Sequence, residues 1–458
     1  MKKNKKNICI VGLGFVGSAM MLSIANSKKI NQNVIGIEVP NDKGLEIVKK
    51  LNAGIFPIKT EDKKLIKLCS RLAKYKKYEC TTELSFLSSA EIILIDINLD
   101  ILNIEKKDPH VDFKNFQDNI KKIVDYSNPK SLYILQTTVP PGTTEKFVKP
   151  VIHQHLLKNN ININNIRLAY SFERVMPGKN YLNSIINNWR VVGGINDKST
   201  KDAVIFFKKF INYKNFPISI LPNITSTEMA KVIENSYRAV NIAFIEEWSR
   251  LSESLNIDIY KIINSIKIRP THNNLSRPGF GVGGYCLTKD PLFGKITSKY
   301  IINKKLDFPF SEKAIQINRK MPFETLKLIK QNIDKIRKKK IAIFGISYKE
   351  DVGDLRQSPS IFLAKRLKQM QAHLVGFDPF INNIDLFDKI YNTDLPNFKN
   401  LDVIILAVPH KIIINLRYDK LIKRKTLLID SFNILTDKMK DKLLKKGIKI
   451  ISIGKGNG

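Results

Sequence analysis

Apolar residues fall along this chain in two kinds of run. Short runs of about four or five residues occur at Ile8-Cys-Ile-Val11, Val34 to Ile37, Glu91-Ile-Ile-Leu-Ile95, Leu132-Tyr-Ile-Leu135 and Arg167-Leu-Ala-Tyr170. Between them lie stretches patterned at helical spacing. Continuous short apolar runs alternating with helical patterns predict parallel strands joined by crossover helices. The pattern then changes: from Ser226 to Leu255, Met229, Val232, Ile233, Ser236, Val240, Ala243 and Phe244 recur three and four apart. That predicts one helix of about 30 residues, longer than a small domain needs, and hence a spine or an interface. Strand-like runs resume at Ile341-Ala-Ile-Phe344, His373 to Phe377, Val403 to Ala407 and Thr426 to Ile429. The expected fold class is α/β, with two Rossmann-like doubly wound domains, 1–205 and 326–458, joined by a central long-helix domain, 206–325.

The turn after the first run is rich in glycine: Gly12-Leu-Gly14-Phe15-Val16-Gly17, with a helical pattern from Ser18 to Ala25 and a second strand closed by Glu38. This is the dinucleotide-binding fingerprint in its strand–turn–helix context. Gly12 allows the tight turn, Gly14 lets backbone approach a pyrophosphate, and Gly17 lets the helix pack against the strand. The helix N-terminus then faces the phosphates. Glu38 follows Gly17 by 21 residues, the spacing at which an acid can bond both ribose hydroxyls and repel a 2′-phosphate, so NAD is expected over NADP. Two polar turns end later strands, Gln136-Thr-Thr138-Val-Pro-Pro-Gly142 and Ser171-Phe-Glu173-Arg174. Ligands of open parallel sheets bind beyond such strand ends. Asp378, His410 and Asp430 also follow strand-like runs and read as turn or capping residues.

Composition modifies this picture little. A chain of 458 residues is long enough for about three domains. The formal charge of +35 invites a nucleic-acid reading, yet the lysines are scattered beside apolar runs. The densest clusters, Lys2-Lys3-Asn-Lys5-Lys6 and Arg337-Lys-Lys-Lys340, each precede a strand. There is no aromatic-interleaved basic stripe, so nucleic acid is not an expected partner. A basic field still attracts anionic small molecules. Cys9, Cys69, Cys80 and Cys286 show no CxxC spacing and the six histidines no ligand pattern, so neither a disulfide framework nor a metal site is expected. The basic start before Ile8–Ala25 has the outline of a signal peptide, but glycines at 12, 14 and 17 interrupt it. No run reaches a bilayer-spanning length, and a cytoplasmic protein without membrane insertion is expected.

One stretch remains, Gly281-Val-Gly283-Gly-Tyr-Cys286-Leu-Thr-Lys289-Asp290-Pro. With GLGFVG (12–17), TTVPPGTTE (137–145), SFERVMPG (171–178), EMAKVIENSYRAVNIAFIEE (228–247) and GISYKEDVGDLRQSPS (345–360), it resembles the UDP-glucose/GDP-mannose dehydrogenases over nearly the whole chain. That family oxidises a nucleotide sugar at C6 to a uronic acid, reducing two NAD. The resemblance implies that Cys286 is a nucleophile that passes through a thiohemiacetal to a thioester, with Lys289 favouring its thiolate. It implies that Lys231 and Asn235 stabilise oxyanions, that Asp290 and Thr138 hold the catalytic water or act in proton transfer, and that Glu173 assists hydrolysis as a base. By the same resemblance Gly12, Gly14, Phe15, Val16, Gly17, Glu38, Thr138, Lys289 and Arg356 meet the cofactor. Glu173, Arg174, Lys231, Asn235, Gly283, Lys349 and Arg356 meet the sugar. In relatives the arginine at position 356 reaches across a dimer interface, which implies a homodimer or higher homo-oligomer with its active site near the subunit interface. ERVMPG with RPGFGVGGYC resembles the UDP-N-acetylhexosamine branch, whose product feeds surface polysaccharide synthesis; UDP-glucose or GDP-mannose is the alternative substrate. Three departures stand out: Glu38 for an aspartate, Phe172 where many relatives carry proline, and Ile97-Asn98 for a polar, proline-rich turn. A two-electron hydroxyacid-type dehydrogenase would leave Cys286 and the third domain idle. A non-enzymatic nucleic-acid or nucleotide-sugar binder would be indifferent to losing Cys286.

Overall fold

The computed structural model describes residues 6–104, 108–422 and 426–456. Lys2, Lys3 and Lys5 of the N-terminal basic cluster therefore lie outside the described residues. The chain forms two compact units, one of Met1–Glu234 with Leu292–Asp307, the other of Asn235–Pro291 with Phe308–Gly458. The expected central region is thus shared between them.

The first unit is built on eight strands: β1 (Asn7–Val11), β2 (Asn33–Ile37), β3 (Glu79–Thr81), β4 (Ala90–Ile95), β5 (Leu132–Leu135), β6 (Leu168–Tyr170), β7 (Arg190–Gly194) and β8 (Ile218–Ile220), in the order β8-β7-β6-β5-β4-β1-β2-β3. All pairs are parallel except β6 with β7. The order of succession reverses between β1 and β4, and that reversal opens a crevice at the strands' carboxyl ends. β1 is buried along its whole length, as a strand covered by helices on both faces must be. Helix α1 (Phe15–Ala25) is buried in the same core, with Met20, Met21, Leu22 and Ile24 all fully buried. β7 had no counterpart among the predicted strands. Arg190 and the pair Gly193-Gly194 flank only two valines there, so the apolar run is too short to register.

Helix α2 (Ile224–Ser254) is the predicted long helix, displaced by two residues at its start and one at its end. Its first turns belong to the first unit and the remainder to the second. In the second unit, α3 (Pro309–Asn332) is fastened to α2 by Asn318, whose amide donates to Ala239 O at 3.0 Å. The second sheet is wholly parallel: β9 (Lys340–Phe344), β10 (His373–Phe377), β11 (Lys389–Tyr391), β12 (Val403–Leu406), β13 (Leu427–Asp430) and β14 (Lys449–Ser452), ordered β11-β10-β9-β12-β13-β14. After β14 the chain returns to the helical part, where Gly454 O accepts from Ile259 N at 3.0 Å and Gly454 N donates to Glu253 at 2.6 Å.

Candidate active site

In the first unit the glycine turn has the shape its sequence requires. Gly12 sits at φ +95°, and a Cβ there would lie 2.6 Å from Asp96 O. A Cβ on Gly17 would fall 1.8 Å from Gly12 O, which forces helix and turn into direct backbone contact. Gly14 differs: it is exposed, and a Cβ would meet nothing within 4 Å. Its neighbour in space is open, as backbone that admits a pyrophosphate must be. Gly14 also caps α1 without any side-chain hydrogen bond, and no acid occupies the first turn, so the positive end of the helix is left for an anion. Phe15 and Val16 are half-buried. Glu38 closes β2 with its carboxylate drawn to the turn, accepting from Leu13 N at 2.6 Å and Val39 N at 2.9 Å. These residues fit a dinucleotide.

Along the same edge, the ends of β5, β6 and β7 assemble a buried charge cluster. Glu173 Oε1 accepts from Gln136 Nε2 at 2.8 Å and is ion-paired with Arg190. Arg190 is in turn stacked over Phe207, 4.2 Å from the ring centroid. Burial pushes the Glu173 carboxyl upward, against the opposing pull of the Arg190 guanidinium. Lys231, on α2 and 7% exposed, donates to Glu173 O at 2.9 Å. Arg174 pairs with Glu234 at 2.7 Å and donates to Trp189 O at 2.7 Å. Thr138 is half-buried in the turn after β5. Glu228, one turn before Lys231, accepts from Gly142 N at 2.5 Å, Thr144 N at 2.9 Å and Thr144 Oγ1 at 2.5 Å, and so fixes the far end of the Thr138 turn. Burial holds its carboxyl at about 7.

The second unit carries the cysteine loop. Cys286 is exposed, whereas Cys9, Cys69 and Cys80 are buried, where desolvation raises each thiol above its ordinary value, Cys9 to about 12. Beneath Cys286 the chain turns tightly, with Asp290 N donating to Cys286 O at 2.9 Å. Asp290 is fully buried and doubly held, by Asn235 Nδ2 at 2.7 Å and Lys289 Nζ at 2.8 Å. The ring of Tyr285 lies beside both Lys289, 4.3 Å from its centroid, and Arg356, 5.4 Å away.

The glycines of this loop make room for protein. A Cβ on Gly283 would lie 2.5 Å from Tyr348 Cβ and 2.8 Å from Gln357 O; Gly284, at φ +83°, faces the Tyr348 ring, and its N–H donates to Arg356 O at 2.9 Å. The segment so clasped carries Lys349 and Arg356, whose guanidinium grips the buried Asp354 at 2.7 Å. The segment is anchored from below by Asp378, which accepts from Ile346 N at 2.7 Å and Ser347 N at 2.8 Å, and by His410, whose Nδ1 accepts from Asp351 N at 3.0 Å. That bond puts the imidazole proton on Nε2, 3.2 Å from Asp378 Oδ2. Asp430 caps the turn after β13 through Ile434 N and Leu435 N.

The expected residues thus fall into two clusters. Glu173, Arg174 and Lys231 assemble in the first unit, with Thr138 in the turn after β5; Asn235, Gly283, Cys286, Lys289, Asp290, Lys349 and Arg356 belong to the second.

Three family models match in order: the UDP-glucose/GDP-mannose dehydrogenase NAD binding domain over residues 6–211, the central domain over 225–320 and the UDP binding domain over 342–437. The chain belongs to this family. Its members are NAD-dependent nucleotide-sugar dehydrogenases, and so is this enzyme. A UDP-N-acetyl-D-mannosamine dehydrogenase of Methanococcus vannielii is 27% identical, covering 99% of this chain and 98% of the relative. One of the same name from Methanococcus aeolicus is 31% identical over 89% of this chain and 86% of its own. Among solved structures, an NDP-N-acetyl-D-galactosaminuronic acid dehydrogenase from Methanosarcina mazei superposes with a TM-score of 0.78 at 26% identity, covering 99% of this chain and 96% of that one.

Asp96 and Arg190 were not singled out from the sequence, Gln136 entered only as the first residue of a polar turn, and Glu228 only within the stretch EMAKVIENSYRAVNIAFIEE. Gln136 and Asp96 each directly follow an apolar strand, a signal that could have found them. Arg190 could not have been found so, because its strand was itself invisible. Among the described residues, no helix is long and apolar enough to cross a membrane.

Proposed function

We propose that this dehydrogenase oxidises a UDP-N-acetylhexosamine, with UDP-N-acetylmannosamine the first candidate, at C6 to the uronic acid through a thioester on Cys286. The observation that carries the reading is the contrast among the cysteines: three buried thiols, and one exposed on a turn held by Asp290, Asn235 and Lys289. Gly12, Gly14, Gly17 and Glu38 would hold NAD, which would supply the hydride acceptor for both oxidations.

Cys286 Sγ, as thiolate, bonds to the carbon of the C6 aldehyde. Lys231 and Asn235 hold the oxygen on which negative charge develops. Loss of a hydride from that carbon leaves a thioester. Glu173 takes a proton from water as the water attacks the thioester carbon, and the C–S bond breaks to return the thiolate. A raised carboxyl suits this work, since a base is most effective when its affinity for the proton nears the working pH. Asp290 orients Asn235, and Thr138 lies on the turn fastened by Glu228. Lys349 and Arg356, on one segment, supply positive charge for the anionic nucleotide.

The choice of N-acetylhexosamine draws on the relatives, which include UDP-N-acetyl-D-mannosamine and NDP-N-acetyl-D-galactosaminuronic acid dehydrogenases. The protein is taken to act in the cytoplasm, on soluble nucleotide sugar, toward surface polysaccharide. It is taken to do so as a dimer: α2 exposes Met229, Ile233, Tyr237, Phe244, Trp248 and Leu251, which all fall on one face of an α-helix. A second copy would cover so long an apolar stripe. The reading is tested by kcat/KM over a panel of UDP-N-acetylhexosamines, UDP-glucose and GDP-mannose. A preference of tenfold or more for an N-acetylated sugar supports it; a preference for UDP-glucose or GDP-mannose moves the enzyme to another branch.

A further inference from the structure

Asp96 belongs to no role described so far. It ends β4, and Gln136 ends β5. The two strands pair through Ile95 and Leu135, and Gln136 N donates to Ile95 O at 2.9 Å, so Asp96 and Gln136 occupy the next cross-strand positions. Among the described residues, Asp96 Oδ2 and Gln136 Oε1 are both buried without a hydrogen-bond partner. Everything beyond them is connected: Gln136 Nε2 donates to Glu173 Oε1, and Glu173 pairs with Arg190.

An ionised carboxylate and an amide oxygen are both acceptors, and no hydrogen bond can join them. A protonated carboxyl is a donor. The charged groups facing Asp96 are Glu173, from the turn after β6, and Arg190, from β7. Burial, reinforced by the Glu173 charge, pushes the Asp96 carboxyl well above its usual range, and Arg190 offsets only part of this.

We propose that Asp96 is a positioning residue that keeps its proton and donates it, directly or through one water, to Gln136 Oε1, locking the amide with Nε2 on Glu173. Ionised Asp96 would favour the flipped amide, whose Nε2 turns to Asp96 and whose Oε1 then opposes the Glu173 carboxylate. Asp96 thereby controls, through Gln136, the base used in the final hydrolysis. This last step rests on the role given to Glu173; the protonation of Asp96 does not.

The experiment has one arm for each part, both on the full-length protein. Infrared difference spectra at neutral pH should show a carboxylic-acid carbonyl band that Asp96→Asn lacks. Thermal unfolding gives the sign independently. An acid raised in the folded state contributes stability that is complete below its ordinary value near 3.8 and is lost as pH rises through the folded value. Asp96→Asn should therefore melt above wild type at neutral pH, by roughly 2 °C or more, with the gap closing toward pH 4. In turnover, Asp96→Leu should lose about tenfold or more in kcat with KM little changed, and Asp96→Asn, which keeps a donor, should restore most of it. An absent carbonyl band, or an unchanged pH dependence of melting in Asp96→Asn, overturns the protonated carboxyl. The band present with equal kcat in Asp96→Leu and wild type overturns the positioning role. If wild type turns over no sugar, the functional reading fails while the spectroscopic arm still decides Asp96.

Discussion

Phe172, one of the three departures noted in the sequence, lies with its ring beside two cations, 5.0 Å from Arg174 and 5.2 Å from Lys231. A ring face attracts such charges, and here it helps hold Lys231 where its ammonium donates to Glu173 O. The same scale separates Cys286 from the other thiols. Cys9 could be recognised as core from its strand, whereas Cys69 and Cys80 offered no signal until burial resolved them. Replacing Cys286 by alanine should lower uronic acid formation by roughly three orders of magnitude or more, while NAD binding, followed by fluorescence quenching, stays as in wild type. Acid formation at a wild-type rate would remove the sulfur from the reaction. Lys289 was expected to favour the thiolate. Its ammonium is bonded to Asp290 and lies beside Tyr285, so its charge is spent in large part on building the turn under the cysteine.

Elements were legible where their apolar runs were long, and illegible where function or glycine broke them. β1, β2, β4, β5 and β9 lie within a residue of their apolar runs. β7 did not register, and the buried Arg190 that opens it was missed with it. The resemblance implied that Gly283 meets the sugar; in the structure Gly283 and Gly284 also make space for Tyr348, because the loop and the segment from Tyr348 to Pro359 pack backbone to backbone. That partner is distant in sequence, and no local pattern announces it. Nothing in the local sequence separates Glu228 from an ordinary helix-surface acid beside Lys231. Buried and accepting three hydrogen bonds from the turn that follows β5, it ties helix to sheet. Its removal in Glu228→Ala leaves buried donors unsatisfied and should cost about 2–4 kcal/mol in denaturant unfolding. The pH dependence has a fixed sign. With its carboxyl at about 7 against an ordinary 4.5, the proton-linked share of Glu228's stability is complete below 4.5 and is lost as pH rises through 7, so the variant should lose that share of the pH slope.

At the scale of the whole molecule, the charge of +35 coexists with one mostly parallel and one wholly parallel sheet and a family whose members act on anionic nucleotide sugars, so it gives no reason to invoke nucleic acid. Polar turns at strand ends were readable in both sheets, as candidate ligand positions in the first and as turn or capping residues in the second. Which residues share a cluster was not, because α2 carries Lys231 into one unit and Asn235, four residues on, into the other. The exposed stripe of α2 should be the dimer contact; Trp248→Glu, measured by sedimentation equilibrium, should shift the protein toward monomer without lowering its melting temperature by more than a few degrees. An unchanged association state would assign the stripe elsewhere. The central claim is a four-electron oxidation carried by one cysteine, and its most direct test is the amount of NADH formed per UDP-N-acetylmannosamine consumed to completion. The account predicts two NADH per sugar in wild type, with Cys286→Ala falling toward one as the reaction stops at the aldehyde. One NADH per sugar in wild type would contradict it and leave a simple two-electron dehydrogenase.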